Sequence, residues 1–220
     1  TGNNLTATEK STLITALSPF TVASITPVIV DPQTTNLILN VNFQFDSSKT
    51  TETVTSLASK INTTLTNYNT TNLAQFDGAF RHSKVTGLID DTDTAITSNI
   101  TTVTLAHNLT PTLNTSKSYT IQLNNKFSNP HTEHNKAAGG ILASTGFKVS
   151  GDASNVQFFD DDGAGNIRRY YLVAGVRQYQ DNTAGTITYS TGEIKINNIN
   201  ITSVEEVDEA ASTFIRLTVT

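Results

Sequence analysis

The segment from Asp160 to Asn166 has the residue types that could hold a metal ion. It reads DDDGAGN, and carboxylate and amide oxygens are ligands that calcium prefers. An EF-hand loop would also need an oxygen ligand at Ala164 and a carboxylate at Tyr171, and both are missing. We therefore predict a solvated hairpin turn without a metal. Removing the carboxylate of Asp160 or Asp162 should then change stability little.

The histidines are the next candidates for metal binding or proton transfer. His131, Glu133 and His134 supply potential ligands close together in the sequence. Zinc sites normally need three or four converging ligands, and no second His or Cys pair lies at a recognisable spacing. We predict a polar loop there, and we predict that His82 and His107 are ordinary surface or hydrogen-bonded histidines.

No motif for nucleophilic or phosphate chemistry occurs in the chain. The glycines near Lys148 lack the spacing of a phosphate loop, and no Ser or Thr follows that lysine. A Gly-x-Ser-x-Gly elbow is absent, and the acidic stretch over 205–209 is typical of a solvated helix or loop face. The sequence therefore predicts a protein that is not an enzyme, with no catalytic residues, no cofactor, no metal and no small-molecule substrate.

The composition is polar without being strongly charged. Thr and Asn occur 39 and 22 times and charged residues make up 15% of the chain, against about 25% in typical globular proteins. The net charge of −5 and the lack of a basic cluster argue against nucleic-acid binding. Apolar runs are only a few residues long, so neither a membrane span nor a signal peptide is predicted. Met is absent even at position 1, so we expect a fragment or a processed chain.

The hydrophobic pattern of the first half predicts strands packed by helices. A capping-box spacing from Thr6 to Glu9 predicts a helix over 8–17. The segment 23–30, interrupted by Pro27, favours an edge strand or a bulge. Strict alternation predicts a strand over 35–46. Helical spacing then predicts an amphipathic helix over 50–68, followed by a shorter helix capped by Ser83.

The strand over 35–46 and the helix over 50–68 should form the core of this half, because each pattern places its apolar residues on one face. The side chains expected to meet are Leu39, Val41 and Phe43 from the strand and Leu57, Ile61 and Leu65 from the helix. A further strand is predicted over 100–106, and Pro111 with a cluster of Asn, Thr and Ser marks a linker. We therefore predict an α+β domain over 1–115.

Beyond residue 115 the helical signals nearly vanish and short strand patterns dominate. Turn sequences at 150–152, 162–166, 184–185 and 191–192 separate them. The spacing is typical of an antiparallel sandwich or barrel. We therefore predict a mostly antiparallel all-β domain over 116–220, whose last strand could return to the first domain. Its predicted strands lie at 119–123, 141–149, 156–159, 167–176, 186–189, 193–201 and 214–219.

Several short motifs follow one another in an order that is similar to a known family. In the first half they are TPVIVDP (26–32), FDG (76–78), FRHSKV (80–85) and LIDDTDTAI (88–96). In the second half they are YTI (119–121), STGF (144–147), FDDDGAGNIR (159–168) and GTITYSTG (185–192). The chain thereby resembles the C-terminal portion of the baseplate wedge proteins of T4-type contractile phage tails, within the wider baseplate J-like family.

This resemblance implies a structural subunit of the virion tail baseplate. Such a subunit would form a homodimer, bind other wedge subunits and link neighbouring wedges, after assembly in the cytoplasm of the bacterial host. The segment from Arg81 to Lys84 would be a structural helix start rather than a catalytic site. The resemblance covers nearly the whole chain but not the family's N-terminal half.

Two other classes of protein remain open at this stage. A tail-associated adhesin that binds host glycan would need exposed aromatic residues at loop tips, and Tyr170, Tyr171 and Tyr179 are the candidates. A depolymerase would need a pair of carboxylates in a groove, and the sequence offers none that we can nominate.

Overall fold

The computed structural model describes residues 5–21, 25–29, 34–75, 78–128 and 140–220. Within these residues the chain forms three α-helices and ten mostly antiparallel strands. The predicted α+β class with a large β part is therefore confirmed. The chain divides into unit 1, with Thr1–Pro32 and Leu39–Thr102, and unit 2, with Gln33–Ile38 and Val103–Thr220.

Helix α1 (Ala7–Leu17) begins at the predicted capping box. The Glu9 amide donates to Thr6 Oγ1 at 3.2 Å, and the Thr6 amide donates to Glu9 Oε2 at 2.7 Å. Leu13 and Leu17 are exposed and no residue of the helix is buried. A 3-10 turn over Ser18–Phe20 follows. Among the described residues no helix is long and apolar enough to cross a membrane.

The predicted edge strand over 23–30 is not found in its described part. Residues 25–29 form neither helix nor strand. Pro27 has no amide proton to donate to a neighbouring strand, which weakens any ladder through this segment. The rest of the predicted strand lies outside the described residues.

Strand β1 (Asn36–Phe45) alternates between half-buried and exposed residues, as predicted. Leu39, Val41 and Phe43 are its half-buried side chains within the apolar cluster of unit 1. Helix α2 (Val54–Tyr68), capped by Thr53 and followed by a π turn over Asn69–Leu73, contributes Ile61, Leu65 and Tyr68 to that cluster. The predicted packing of strand on helix is therefore confirmed for Ile61 and Leu65, whereas Leu57 is buried but is not part of this cluster.

Helix α3 (His82–Asp90) and the first part of strand β2 (Ile96–Leu109) complete unit 1. The helix buries Val85 and Ile89, as its spacing predicts. The predicted cap at Ser83 is wrong, because the N-cap residue is Arg81. The Val85 amide already donates to the Arg81 carbonyl at 3.2 Å, so Ser83 lies within the first turn.

Two hydrogen bonds join the end of β1 to the start of β2, its neighbour in the sheet. The Asp46 amide donates to the Ala95 carbonyl at 2.8 Å. The Thr97 hydroxyl donates to the Gln44 carbonyl at 3.2 Å. Because the end of one strand meets the start of the other, the two run antiparallel.

Unit 2 contains a closed ring of antiparallel strands. Strands β5 (Phe147–Val149), β6 (Asp152–Asp161), β7 (Asn166–Val173), β8 (Val176–Thr188) and β9 (Glu193–Val204) pair in turn, and β9 pairs back with β5. Such a barrel-like ring is one of the two arrangements that the strand spacing predicted. Its fully buried side chains include Phe147, Phe159, Ile167, Ile194 and Ile201.

The remaining strands of unit 2 extend this ring. Strand β3 (Ser116–Gln122) pairs with β9. Strand β4 (Leu142–Ser144) lies between β6 and β10 (Ile215–Val219). Strand β10 pairs in turn with residues 105–109 of β2.

Two of the turns in this half differ from the prediction. The single strand predicted over 167–176 is wrong, because Ala174 and Gly175 turn the chain between β7 and β8 with φ of 49° and 80°. A tight hairpin turn of the primed type needs such positive φ values. The turn predicted at 184–185 is also wrong, since Gly185 lies inside β8. A Cβ there would lie 2.1 Å from the Lys195 carbonyl oxygen, so this glycine serves a close backbone approach.

Candidate functional site

The turn between β7 and β8 presents an apolar surface to solvent. Leu172, Val173 and Val176 are 48%, 51% and 61% exposed. In the hairpin register Val173 lies opposite Val176, and Leu172 lies opposite Arg177. We call these three apolar residues the hairpin tip. Exposed apolar side chains that lie together are typical of binding surfaces.

A buried carboxylate anchors the strands that carry this tip. Asp160, on β6, is 2% exposed. It accepts hydrogen bonds from Arg168 Nε at 2.9 Å and Nη2 at 3.1 Å, from Arg177 Nη1 at 2.6 Å and from the Tyr179 hydroxyl at 2.8 Å. These donors come from β7 and β8, so a single side chain ties three strands together.

Aromatic rings and guanidinium groups stack around this carboxylate. The guanidinium of Arg168 lies 4.3 Å from the centre of the Tyr179 ring, and that of Arg177 lies 4.8 Å from the centre of the Tyr170 ring. Tyr170 also stacks on Phe158 at 5.6 Å between ring centres. Cation–π contacts of this kind strengthen when they are partly desolvated. We call Asp160 with these five residues the anchor cluster.

Burial changes the proton affinity of the tyrosines in the cluster. Burial is the largest cause that raises the pKa of Tyr170, and it is also the largest cause for Tyr179. The hydrogen bond to Asp160 raises the pKa of Tyr179 further. Both phenols are therefore neutral at physiological pH, and Tyr179 serves as a donor to the carboxylate.

The neighbouring Asp161 fixes a second set of groups. It is fully buried, and its Oδ1 accepts from the Leu142 amide at 2.7 Å while Oδ2 accepts from the Gly163 amide at 3.2 Å. The Tyr189 hydroxyl donates to the same Oδ2. A Cβ on Gly140 would lie 1.8 Å from this oxygen, so only a glycine fits beside the carboxylate.

The prediction of a solvated turn is wrong for Asp160 and Asp161 and holds for Asp162. Asp162 Oδ1 accepts from the Ala164 and Asn166 amides at 2.7 and 3.0 Å, inside the β6–β7 turn. Burial acts to raise the pKa of Asp162, but the hydrogen bonds from Asn166 and Ala164 outweigh it and lower that pKa. The positive charge opposite Asp160 comes from Arg168 and Arg177.

The other candidate metal ligands do not lie close together in the described part of the chain. Within the described ranges no group of three or more His, Cys, Asp or Glu side chains could hold a metal. His131, Glu133 and His134 lie outside the described residues. His82 Nε2 lies 2.8 Å from the Thr101 carbonyl oxygen, and His107 Nδ1 lies 3.1 Å from that of Thr34, as expected of hydrogen-bonded histidines.

The acidic stretch over 205–209 forms a tight turn rather than a paired acid site. Val207 and Ala210 exchange backbone hydrogen bonds of 2.9 and 3.1 Å. Asp208 and Glu209 lie between them with φ of 53° and 62°. Asp208 is exposed and forms an ion pair with Arg216 at 2.6 Å, so its carboxylate faces a cation on the surface.

Part of the first half matches a known sequence family. Residues 35–108 match the family described as Baseplate structural protein gp6, C-terminal domain III. This segment is similar to the T4-type baseplate wedge proteins. No curated protein sequence matches the chain. The matched residues hold β1, α2, α3 and nearly all of β2.

The resemblance to baseplate wedge proteins is therefore confirmed. A structural role in the tail baseplate of the virion follows from this family, as does interaction with other baseplate subunits. The hairpin tip and the anchor cluster lie outside the matched residues, on strands β6, β7 and β8.

Sequence reasoning missed the arginines of the anchor cluster, and it considered Tyr170 and Tyr179 only as exposed aromatics of an adhesin. A signal for part of the cluster is present. If the DDDGAGN segment turns at Ala164, Asp160 lies opposite Arg168 across the hairpin, which the register confirms. The positions of Arg177 and Tyr179 relative to Asp160 depend on the turn at Ala174 and Gly175. The prediction of a single strand over 167–176 did not include that turn.

Proposed function

We propose that this chain is a structural subunit of the baseplate wedge that associates with itself as a homodimer and links neighbouring wedges. It assembles in the cytoplasm of the bacterial host and turns over no substrate. The observation that carries the proposal is the hairpin tip, because an apolar surface on a firmly anchored hairpin is suited to docking rather than to chemistry.

A linking subunit needs at least one surface besides the one it uses for its own copy. The hairpin tip supplies such a surface in unit 2, and the exposed Arg177 lies next to it, opposite Leu172. Arg is enriched at the centres of protein interfaces, where apolar side chains exclude water around it. The anchor cluster holds the hairpin in one conformation, which lowers the entropic cost of binding. We therefore assign the hairpin tip to contact with another baseplate wedge subunit.

Light scattering on the full chain tests self-association. A homodimer should give a mass near twice the 23.7 kDa of one chain at micromolar concentration, since obligate dimers bury on the order of 2,000 Å² or more. A mass of one chain at high concentration contradicts the homodimer.

Binding to purified wedge subunits tests the hairpin tip. The double variant Leu172→Ser and Val176→Ser should weaken binding to one of these subunits at least about tenfold, which corresponds to about 1.4 kcal/mol. Val54→Ser is the matched control, because Val54 is 56% exposed but lies on α2. Equal binding by the hairpin variant and wild type to every wedge subunit contradicts this assignment.

The adhesin alternative required exposed aromatic residues at loop tips, and its three candidate tyrosines do not lie there. Tyr170 is buried, Tyr171 and Tyr179 are half-buried, and all three lie within strands β7 and β8 rather than at a loop tip. Tyr179 also donates its hydroxyl to Asp160. These tyrosines hold the hairpin together, so they do not present a free aromatic surface to a glycan.

A further inference from the structure

The edge of strand β1 differs from the other strand edges of the described chain. Strand β3 pairs only with β9, and its free edge carries Lys117. Residues 176–183 of β8 pair only with β7, and they carry Arg177 and Asp181. Strand β1 pairs only with β2 among the described strands, yet its ten residues include no charged residue and no proline. Charges and prolines are the usual means of preventing edge-to-edge pairing.

The apolar side of β1 is incompletely covered within one chain. Leu39, Val41 and Phe43 are half-buried, whereas Leu57 and Ile61 of α2 are buried. A second strand alongside β1 would cover the part of this row that stays exposed. With respect to the described strands, the edge therefore offers both unpaired backbone groups and apolar area to a partner strand.

The other side of β1 indicates what that partner is. Its exposed residues include Asn40, Asn42 and Gln44, and each carboxamide is both a donor and an acceptor, so the row is complementary to itself. When a strand pairs with an identical strand, any charged residue near its centre meets a like charge. A row without charges avoids this repulsion, which favours a second copy of the same strand.

We infer that β1 pairs antiparallel with β1 of a second copy across a two-fold axis at Val41. This inference rests on the proposed self-association and gives it a surface. Side chains alternate between the two faces of a strand with period 2. A register centred on one residue therefore places the apolar rows of both copies on one face of the joined sheet and their polar rows on the other. It places Asn40 opposite Asn42 and Leu39 opposite Phe43. Because the contact uses the same surface on both copies, two chains complete it and no third chain can join through this edge.

Charge substitution on the exposed face of β1 tests the pairing without disturbing the core. The double variant Asn40→Lys and Asn42→Lys places lysines opposite lysines, and Asn40→Glu with Asn42→Glu places glutamates opposite glutamates. Each variant alone should raise the dimer dissociation constant at least tenfold, measured by sedimentation of the full chain. An equimolar mixture of the two should restore dimers, because opposite charges then face each other.

A matched control uses residues 176–183 of β8, the strand edge in unit 2 that carries charged residues. Gln178→Lys with Gln180→Lys adds the same charge at exposed positions of β8 and should leave the dimer unchanged. Hydrogen exchange gives a second measurement, in which amides of residues 39–45 should exchange more slowly at dimer-forming concentration.

The outcomes separate this inference from the proposed function. If wild type is a dimer and the lysine variant dimerises equally well, pairing through β1 is wrong while self-association stands. If wild type stays monomeric at high concentration, both are wrong. If the variants weaken the dimer and their mixture restores it, pairing through β1 is supported.

Discussion

Arg168 donates two hydrogen bonds to Asp160 across the β6–β7 hairpin, from Nε at 2.9 Å and Nη2 at 3.1 Å. Both side chains are buried, and the two residues are direct cross-strand partners. Removing one partner of a buried pair leaves the other charge without compensation. The pair therefore makes the stability of unit 2 sensitive to either residue.

Asp160→Ala should lower the free energy of unfolding by about 3 to 5 kcal/mol, the usual cost of breaking a buried ion pair. Urea denaturation of the full chain measures this value. The expectation reverses the one drawn from the sequence, in which Asp160 belonged to a solvated turn.

Asp208→Ala is the matched control for that measurement. Asp208 also forms an ion pair with an arginine, Arg216, but its side chain is 74% exposed. Exposed pairs contribute about 0 to 1 kcal/mol. If Asp160→Ala and Asp208→Ala cost equally little, the anchor cluster does not stabilise the fold.

Ile61→Ala should lower the free energy of unfolding of the chain by about 2 to 5 kcal/mol, because it leaves a cavity in a packed core. Ile61 is 4% exposed and belongs to the apolar cluster of unit 1. Val54→Ala on the same helix removes an exposed side chain and should change stability by no more than about 0.5 kcal/mol. Thermal unfolding followed by circular dichroism compares the two; similar melting temperatures would contradict the packing.

Two glycine-to-alanine substitutions should change the free energy of unfolding in opposite directions. Gly87 lies inside α3 with nothing within 4 Å of an added Cβ, so Gly87→Ala should stabilise by about 0.5 to 1 kcal/mol. Gly185→Ala places a Cβ 2.1 Å from the Lys195 carbonyl oxygen and should destabilise. Chemical denaturation of both variants tests this contrast, and a stabilising Gly185→Ala would show that β8 and β9 do not approach so closely.

The sequence was most informative where one periodic pattern covers a whole element. Alternation predicted which face of β1 is buried, and helical spacing identified α2 and the buried Val85 and Ile89 of α3. These predictions succeed because burial of a single face dominates the stability of such elements. The prediction for 25–29 failed because a β-rich composition does not supply a neighbouring strand to pair with.

The candidate site could be predicted only in part, since its chemistry depends on contacts between distant residues. An acidic run beside glycines is typical of a turn, and Asp162 follows that rule. Asp160 and Asp161 do not, because Arg168 and Tyr179 on other strands, and Tyr189 in the turn after β8, satisfy them. A turn at Ala164 places Arg168 opposite Asp160, but nothing local in the sequence shows that this pair is buried.

The pH dependence of stability should report on Tyr189. Burial and the hydrogen bond to Asp161 raise the pKa of Tyr189 above the ordinary value of about 10. A raised folded-state pKa contributes stability that is fully present below about pH 10 and is lost as the pH rises toward the folded value, because the unfolded chain ionises first.

Tyr189→Phe removes this ionisable group and leaves Asp161 with one donor fewer. The variant should therefore be less stable at neutral pH, and its stability should fall less steeply between about pH 9 and 11. Urea denaturation at a series of pH values measures both effects in the same protein. An alkaline slope identical to that of wild type would mean that Tyr189 ionises equally readily in the folded and unfolded chains.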